Sequence, residues 1–263
     1  MISDIFAFKR FFYLLTNPSL YRKINNWQNY LSGILGVQKS VFKISLNNKI
    51  HILLRNNQMD VIPVQEIVLR DDYELKEINK NLNTIIDLGS HIGVFSIVAA
   101  EHFSKSIIYA FEAEKENYVT FFKNIRLNKF SNRIKSYLFA ITGKDNQKIN
   151  IYKNKGMGCL YEKTSLKSEV FSITLDKIYK KFRIKKCDLL KIDIEGSEYE
   201  VLYTASDNIY KKTDRINLEF HNINIKENYN GKSLVNFLIK KGYQVKYKNH
   251  LDGKTGMIYA KKF

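Results

Sequence analysis

The spacing of hydrophobic and polar positions changes near residue 62 of the chain. Before that point, apolar residues recur at helical spacing over Ser3–Leu15 and Leu20–Leu35, which predicts two short amphipathic helices. Apolar and polar residues then alternate over Val41–Leu46 and Lys49–Arg55, on either side of an Asn-Asn pair. This alternation predicts a β-hairpin with a two-residue turn. The chain therefore begins with an extension of helices and a hairpin.

Beyond this extension, short apolar runs alternate with helical patterns, which is typical of a parallel sheet with helices on both faces. Strands are predicted at residues 84–88, 107–111, 134–140, 188–193 and 216–220. An extra pair is predicted at 148–152 and 170–174, on either side of a loop at 153–169. A helix at 233–241 precedes a closing antiparallel pair at 243–247 and 257–261. We therefore predict a single α/β domain after the extension.

A glycine turn follows the first predicted strand of the sheet. The strand ends near Asp87, and the turn from Gly89 to Gly93 leads directly into an apolar helical pattern. Glycine has no Cβ, so the backbone can turn tightly and a ligand can come close. The start of a helix also offers unpaired N–H groups to an anionic group. The sequence therefore predicts a small-molecule site at this turn.

Acidic residues end two further predicted strands. Glu112 follows the second strand and lies about 20 residues beyond Gly93, where an acidic side chain holds ribose hydroxyls in nucleoside-cofactor folds. Asp193 and Glu195 follow the fourth strand. Ligands of open α/β sheets bind outside the carboxyl ends of the strands. We therefore expect these carboxylates to face one crevice.

Six sequence blocks follow one another along the predicted sheet. They are IIDLGSHIGVFS at 85–96, YAFEAEKEN at 109–117, NIRLN at 124–128, FAITGKD at 139–145, SITLDKI at 172–178 and DLLKIDIEGSEYEVL at 188–202. In this order they resemble the FkbM family of S-adenosylmethionine-dependent methyltransferases, from about Tyr73 to about Phe220. The family usually has proline after the second-strand acid, where this chain has Ala113. That change is expected to alter loop stiffness rather than the ribose contact.

The resemblance implies a Rossmann-like class I methyltransferase with a mostly parallel, seven-stranded sheet. It divides the chain into an extension at 1–72 and a methyltransferase domain at 73–263. It implies S-adenosylmethionine as the cofactor, with the methionine part held at the glycine turn, the ribose at Glu112 and the adenine near Ala140. The residues implied to bind the cofactor are Tyr73, Asp87, Gly89, Ser90, His91, Gly93, Glu112, Ala113, Ala140 and Ile141.

Three residues are candidates for the chemistry of methyl transfer: Asp193, Glu195 and His221. A hydroxyl acceptor gains from a positioned base or from a metal ion, so a divalent metal stays open. For Asp193, cofactor binding or helix capping is an equally good interpretation. The loop Gly156–Tyr161 has two glycines and several apolar residues, and it is a candidate lid.

A formal net charge of +17 on 263 residues raises the alternative of a nucleic-acid or anionic-membrane partner. The basic clusters lie at Lys180–Lys186, Lys211–Arg215 and Arg133–Lys135, each just before a predicted strand. Such helix-to-strand loops lie on the sheet edge opposite the crevice, where cations complement the ends of helices. The positions therefore favour a solvated face over a substrate-binding patch.

The leading prediction is O-methylation of a sugar hydroxyl in a glycan or related small molecule. The alternatives are an RNA methyltransferase and a membrane-associated, non-catalytic domain of the same fold. Against the first alternative, the DIEG motif after the fourth strand differs from the Asn/Asp-Pro-Pro-aromatic motif that stacks a base, and no RNA-binding appendage is visible. Against the second, the glycine turn and both acidic strand ends are intact.

The sequence has no apolar run of about 20 residues and no signal-peptide pattern. Its two cysteines are Cys159 and Cys187, and the second borders a predicted buried strand, as expected of a reduced structural thiol. We therefore expect a cytoplasmic protein. Peripheral contact with an anionic membrane and a homodimer stay open.

Overall fold

The computed structural model describes residues 12, 22–47, 49–78, 81–154, 157–159, 167–222, 228–250 and 253–262. The predicted first helix lies outside these residues except for Phe12, and so do Gly156, Leu160 and Tyr161 of the predicted lid. Among the residues described, no helix has both the length and the apolar character needed to span a bilayer.

The helices of the described chain are α1 (Trp27–Ile34), α2 (Val94–His102), α3 (Lys115–Leu127), α4 (Leu175–Lys181), α5 (Glu198–Thr204), α6 (Asp207–Lys212) and α7 (Gly231–Lys240). A further helical stretch combines a 3-10 turn (Gln58–Asp60), one α-helical turn (Val61–Pro63) and a π-helix (Val64–Arg70). A second 3-10 turn covers Leu75–Glu77. Helix α1 begins later than predicted, because Ile24 instead pairs with Leu46 of the hairpin.

The strands are β1 (Phe42–Leu46), β2 (Ile50–Leu54), β3 (Thr84–Leu88), β4 (Ile107–Glu112), β5 (Ile134–Leu138), β6 (Ala140–Ile141), β7 (Lys148–Asn154), β8 (Met157–Cys159), β9 (Lys167–Ile173), β10 (Leu189–Ile192), β11 (Arg215–His221), β12 (Gln244–Asn249) and β13 (Thr255–Lys261). Strands β1 and β2 form the predicted hairpin. Its turn is one residue longer than predicted, because Leu46 pairs with Ile50.

The main sheet has seven strands in the order β12-β13-β11-β10-β3-β4-β5. The five strands from β11 to β5 run parallel, and β13 is antiparallel to both of its neighbours. The predicted mostly parallel, seven-stranded sheet is confirmed. The chain moves outward from β3 to β5 and then returns to β10 on the other side of β3. Strands β3 and β10 therefore flank the topological switch point, where ligands of open α/β sheets bind.

A second sheet, in the order β6-β9-β7-β8, accounts for two departures from the prediction. The strand predicted at 134–140 ends at Leu138, because Ala140 and Ile141 leave the main sheet and pair with Ser172 and Ile173. The middle of the predicted lid, Met157–Cys159, forms a strand paired with β7 rather than a loop.

Helices cover both faces of the main sheet. Neighbouring side chains of a strand point to opposite faces of the sheet. On one face, Ile85 of β3 packs with α2, α3 and the hairpin. On the other face, Ile86 and Leu88 pack with α4 to α7. The hairpin is also tied to α3 by hydrogen bonds, because Asn124 Oδ1 accepts from the Leu53 amide at 2.7 Å and Asn128 Oδ1 from the His51 amide at 2.8 Å. The N-terminal extension therefore shares one core with the sheet.

The two glycines of the first turn are required by contacts within the chain. Gly89 has φ +77°, and a Cβ there would lie 1.6 Å from the Asp193 carbonyl oxygen. Gly93 has φ +87°, and a Cβ there would lie 1.9 Å from the Phe121 ring. The sequence suggested that glycine admits a ligand at this turn. The structure shows that both glycines also let the turn pack against β10 and α3.

We expect Gly93→Ala to lower the free energy of unfolding more than Gly242→Ala, measured by urea denaturation. Gly242 has a similar φ of +89°, but a Cβ added there would meet no atom within 4 Å. The free energy of unfolding of Gly242→Ala should therefore fall by only about 1–2 kcal/mol, which is the cost of a left-handed backbone conformation for a residue with a Cβ. Gly93→Ala should lose roughly 1–3 kcal/mol more from overpacking against Phe121. Equal losses in the two variants would contradict this packing role.

Candidate active site

A cavity of about 380 Å³ opens at the carboxyl ends of β3, β4, β10 and β11. Its size lies within the range of roughly 300–1,000 Å³ that is usual for small-molecule sites. Nine of the predicted site residues line it: Gly89, His91, Glu112, Ala113, Ala140, Ile141, Asp193, Glu195 and His221. The structure thus brings together side chains from separate sequence blocks at the edge where they were expected.

Four predicted site residues, Tyr73, Asp87, Ser90 and Gly93, are buried and do not line this cavity. The Tyr73 hydroxyl donates a hydrogen bond to Asp193 Oδ2 at 3.1 Å. The Ser90 hydroxyl donates to the Asp87 carbonyl oxygen at 3.2 Å. In this structure these four residues hold the turn and the strand ends that carry the lining side chains.

Glu112 is held at the end of β4 by hydrogen bonds to both of its oxygens. Oε2 accepts from the His91 amide at 2.8 Å, and Oε1 accepts from the Glu114 amide at 2.8 Å and from Asn117 Nδ2 at 3.3 Å. Burial raises the pKa of Glu112 to about 7, although these three hydrogen bonds act in the opposite direction. The carboxyl is therefore fixed in place and changes charge near neutral pH.

Lys191 is a site residue that the sequence analysis did not identify. Its ammonium is almost completely buried, lies 3.2 Å from Asp87 Oδ1 and 3.6 Å from Asp193 Oδ2, and donates to the Gly89 carbonyl oxygen at 2.6 Å. Burial by itself lowers the pKa of Lys191, but the two carboxylates hold it above its usual value. The signal in the sequence was a single lysine within an otherwise apolar buried strand.

Asp193, Glu195 and His221 converge on the cavity from the ends of β10 and β11. One ligand atom from each lies within 4.8 Å of the others. His221 Nε2 is 3.4 Å from Glu195 Oε2, and His221 Nδ1 is 3.1 Å from Glu198 Oε1. Glu198 was not a predicted site residue, yet it is fully buried and contacts the imidazole nitrogen on the side opposite Glu195.

Burial and the neighbouring charges shift the pKa values of several residues in and beside this cluster. Burial raises the pKa of Glu195 to about 7, and burial together with Asp193 raises the pKa of Glu219 well above its usual value. Burial lowers the pKa of His221, but Glu198, Glu195 and Asp193 together raise it well above its ordinary range. The carboxylates around His221 therefore favour its protonated form.

The N-terminal extension also contributes to the site. Met59, Ile62, Pro63 and Glu66 line the cavity. None of them was predicted, because a helical stretch far from the glycine turn in sequence carries no local sign of its contact with the crevice.

A buried polar chain connects the hairpin to Glu112. Asp60 accepts from Arg55 Nη2 at 2.6 Å and from Arg55 Nε at 2.9 Å. Arg55 Nη2 also donates to Asn117 Oδ1 at 2.6 Å, and Asn117 in turn contacts Glu112. The carboxylate at the end of β4 is therefore supported by residues of the extension.

The basic clusters lie away from this cavity, as expected. Lys180 and Lys181 are in the last turn of α4, and Lys211 and Lys212 are in the last turn of α6. Arg133 donates to the Ala100 carbonyl oxygen at 2.7 Å, near the end of α2. These side chains lie where positive charge favours the negative ends of helices.

The family model described as the methyltransferase FkbM domain matches residues 87–245. The chain belongs to the FkbM methyltransferase family. It is a methyltransferase that uses S-adenosylmethionine, as the sequence blocks indicated. A comparison with curated proteins found no match.

Solved structures share the fold of this FkbM methyltransferase. The METTL16 methyltransferase domain is 14% identical with a TM-score of 0.51, and the match covers 90% of this chain and 92% of that chain. A SAM-dependent methyltransferase from Agrobacterium tumefaciens is 13% identical with a TM-score of 0.50, and the match covers 85% of this chain and 70% of that chain. At these identities the likeness concerns the fold alone.

The residues of the cavity fit S-adenosylmethionine. Glu112 would supply acceptor oxygens for the ribose hydroxyls, and Phe139, Ile141 and Ile151 would form an apolar wall for the base. Ser197 lines the same cavity, is 1% exposed, and has a hydroxyl without a hydrogen-bond partner among the described residues. A buried hydroxyl of this kind needs a partner from a ligand or from water.

We expect Lys191→Met to destabilise the protein by about 3–5 kcal/mol, because Asp87 would keep a buried charge without its counterion. Lys186→Met is the matched control. Its ammonium contacts Asp214 at 2.6 Å but is 62% exposed, so the loss should be below about 1 kcal/mol. Chemical denaturation at pH 7 measures both variants. A loss for Lys191→Met as small as that of the control would refute a structural role for the buried pair.

We expect Glu112→Ala to weaken S-adenosylmethionine binding at least tenfold, about 1.4 kcal/mol, in calorimetry. Charged acceptors form stronger hydrogen bonds, so wild-type affinity should fall as the pH drops below about 7 and Glu112 gains a proton. This component of the pH dependence should disappear in Glu112→Ala. Unchanged affinity in a folded variant would remove Glu112 from the ribose site.

Proposed function

We propose that this methyltransferase transfers a methyl group to a hydroxyl oxygen of a sugar, in a glycan or a related small molecule. The observation that carries the proposal is the cluster of Asp193, Glu195 and His221 facing the same cavity as Glu112. A hydroxyl loses its proton when it is methylated. A cluster of carboxylates beside the cofactor region supports that proton loss.

Each part of the cavity has a separate task in this proposal. When bound, S-adenosylmethionine supplies an electrophilic methyl group with its own leaving group. Glu112 binds the ribose, and the apolar residues near Ala140 bind the adenine. Asp193 is held by the Tyr73 hydroxyl, whose pKa is raised well above its usual value by burial and by Asp193, so Tyr73 stays a donor. Asp193 therefore has a fixed orientation toward the acceptor.

The protonation states suggest which groups take the acceptor proton. The three carboxylate neighbours of His221 favour its protonated form, so His221 is suited to donating a hydrogen bond to an acceptor oxygen rather than to taking up a proton. The carboxylates of Asp193 and Glu195 have that capacity. In the cavity without a metal ion, we therefore assign proton uptake to the carboxylates and orientation of the acceptor to His221.

The position of the positive charge favours this acceptor class over RNA. The cavity is lined by five carboxyl groups and by no described lysine or arginine, and the basic clusters lie at helix ends on the opposite edge of the sheet. Phosphate contacts supply most of the non-specific affinity of proteins for nucleic acid. A small hydroxyl-bearing acceptor therefore suits this cavity better than a phosphate backbone does.

The test of the chemistry is transfer of radiolabelled methyl from S-adenosylmethionine to a panel of glycan acceptors. Asp193→Asn keeps the size of the side chain and removes its charge, so turnover should fall at least about tenfold and by more than the loss of stability accounts for. Asp207→Asn, on the exposed start of α6, is the matched control and should keep full turnover. Wild-type turnover in Asp193→Asn would refute its role.

The test of the acceptor class replaces Lys180, Lys181, Lys185 and Lys186 together by glutamine. Methyl transfer to the glycan should stay nearly intact, and retention on heparin should fall. Any RNA binding should be weak and should fall steeply with salt, as expected for phosphate contacts alone. Tight binding of one RNA near physiological salt, with labelled methyl in that RNA, would replace the glycan proposal by RNA modification.

A further inference from the structure

We propose that Asp193, Glu195 and His221 bind one divalent cation, an inference that rests on the proposed hydroxyl acceptor and deepens it. Their ligand atoms lie within 4.8 Å of one another. Glu195 Oε2 and His221 Nε2 are 3.4 Å apart, close to the roughly 3 Å between neighbouring ligands of an octahedral ion with bonds of 2.0–2.1 Å. Small side-chain rotations would therefore bring the ligand atoms onto one ion.

The orientation of His221 distinguishes this cluster from a chance group of acids. Its Nδ1 lies 3.1 Å from Glu198 Oε1, and Glu198 is completely buried. Glu198 Oε1 also accepts from the Gly196 amide at 3.0 Å, which holds the carboxylate in place. Metal-binding histidines commonly use their second nitrogen in this way, because the carboxylate fixes the ring and raises its basicity. Nε2 thereby faces Glu195 Oε2, and a bound ion would take the place of its proton.

The charge of the cavity also favours a cation. The carboxylates that line it belong to Glu66, Glu112, Asp193, Glu195 and Glu219, and no lysine or arginine is among its described lining residues. The nearest buried ammonium, Lys191, is shared between Asp87 and Asp193. The cofactor sulfonium brings a single positive charge. A divalent ion that takes the place of the His221 proton would offset more of this negative charge than the imidazolium does.

Ser197 gives an independent indication of a ligand in this part of the cavity. It follows the turn after Glu195, is 1% exposed, and has a hydroxyl without a hydrogen-bond partner among the described residues. Buried hydroxyls rarely stay unsatisfied in native proteins. A water of the ion's hydration shell or an acceptor hydroxyl would satisfy it.

The ligand set points to Mg²⁺ or Mn²⁺. Carboxylate oxygens and water suit both ions, and the imidazole makes Mn²⁺ the tighter-binding of the two. Three protein ligands leave positions for water and for the acceptor. Two neighbouring hydroxyls of a sugar could occupy two of those positions, and the ion would lower the pKa of the hydroxyl to be methylated.

The experiment titrates Mn²⁺ into the full-length protein without cofactor and follows free Mn²⁺ by electron paramagnetic resonance. We expect one saturable site per chain. Glu195→Gln and His221→Gln should each weaken it at least about tenfold, by analogy with losses of 10–100-fold for outer-shell partners. Glu101→Gln, on the surface end of α2, should bind like wild type. Circular dichroism checks that each variant is folded.

No saturable Mn²⁺ site in the wild type would overturn the proposal, and the Glu195–His221 contact would then be an internal ion pair. Equal binding by wild type and both folded variants would overturn it as well. If Glu195→Gln does not fold, the Mn²⁺ affinity of His221→Gln decides the question.

Methyl transfer is assayed separately. If the wild type binds no Mn²⁺ and the chelator-treated enzyme still transfers methyl, the cation site is refuted. The methyltransferase proposal then still stands. Mn²⁺ binding with no transfer to any hydroxyl acceptor would refute only the acceptor.

Discussion

The buried ammonium of Lys191 is the interaction on which the rest of the site depends. It lies between Asp87 at the end of β3 and Asp193 at the end of β10, and it donates to the Gly89 carbonyl oxygen. These two strands flank the switch point of the sheet, so one side chain joins the glycine turn to the acidic cluster. A buried ion pair adds little net stability but is costly to break. Its effect here is to fix the relative positions of two strand ends.

The cavity beside this pair is lined by five carboxyl groups and by no described lysine or arginine. Burial raises the pKa values of Glu112 and Glu195 to about 7, so these two carboxyls exchange protons near neutrality. Binding of a positively charged ligand would release those protons. The site therefore favours cations by its electrostatics, whereas the lysines on the opposite edge account for much of the net charge without acting on the crevice.

The N-terminal extension lines the candidate active site although it precedes the family match at residues 87–245. Met59 and Glu66 line the cavity, and the Asp60–Arg55 pair supports Glu112 through Asn117. The boundary at residue 72 marks a change in the sequence pattern. It does not separate two packed units, because the hairpin and the sheet share one apolar cluster. Substrate specificity in this chain is expected to depend on residues that the family motifs do not include.

The sequence by itself determined the sheet, the glycine turn and the acids at the strand ends, because strand periodicity, glycine and strand-end carboxylates are local signals. It did not reveal Lys191 or Glu198, since a buried charge is recognisable only by the partner that it meets. Likewise, the strand predicted at 134–140 ends early, because residues 140 and 141 find partners in β9. The surroundings of His221 were also visible only in the fold, which places Glu198, Glu195 and Asp193 around it and so raises its pKa well above the ordinary value.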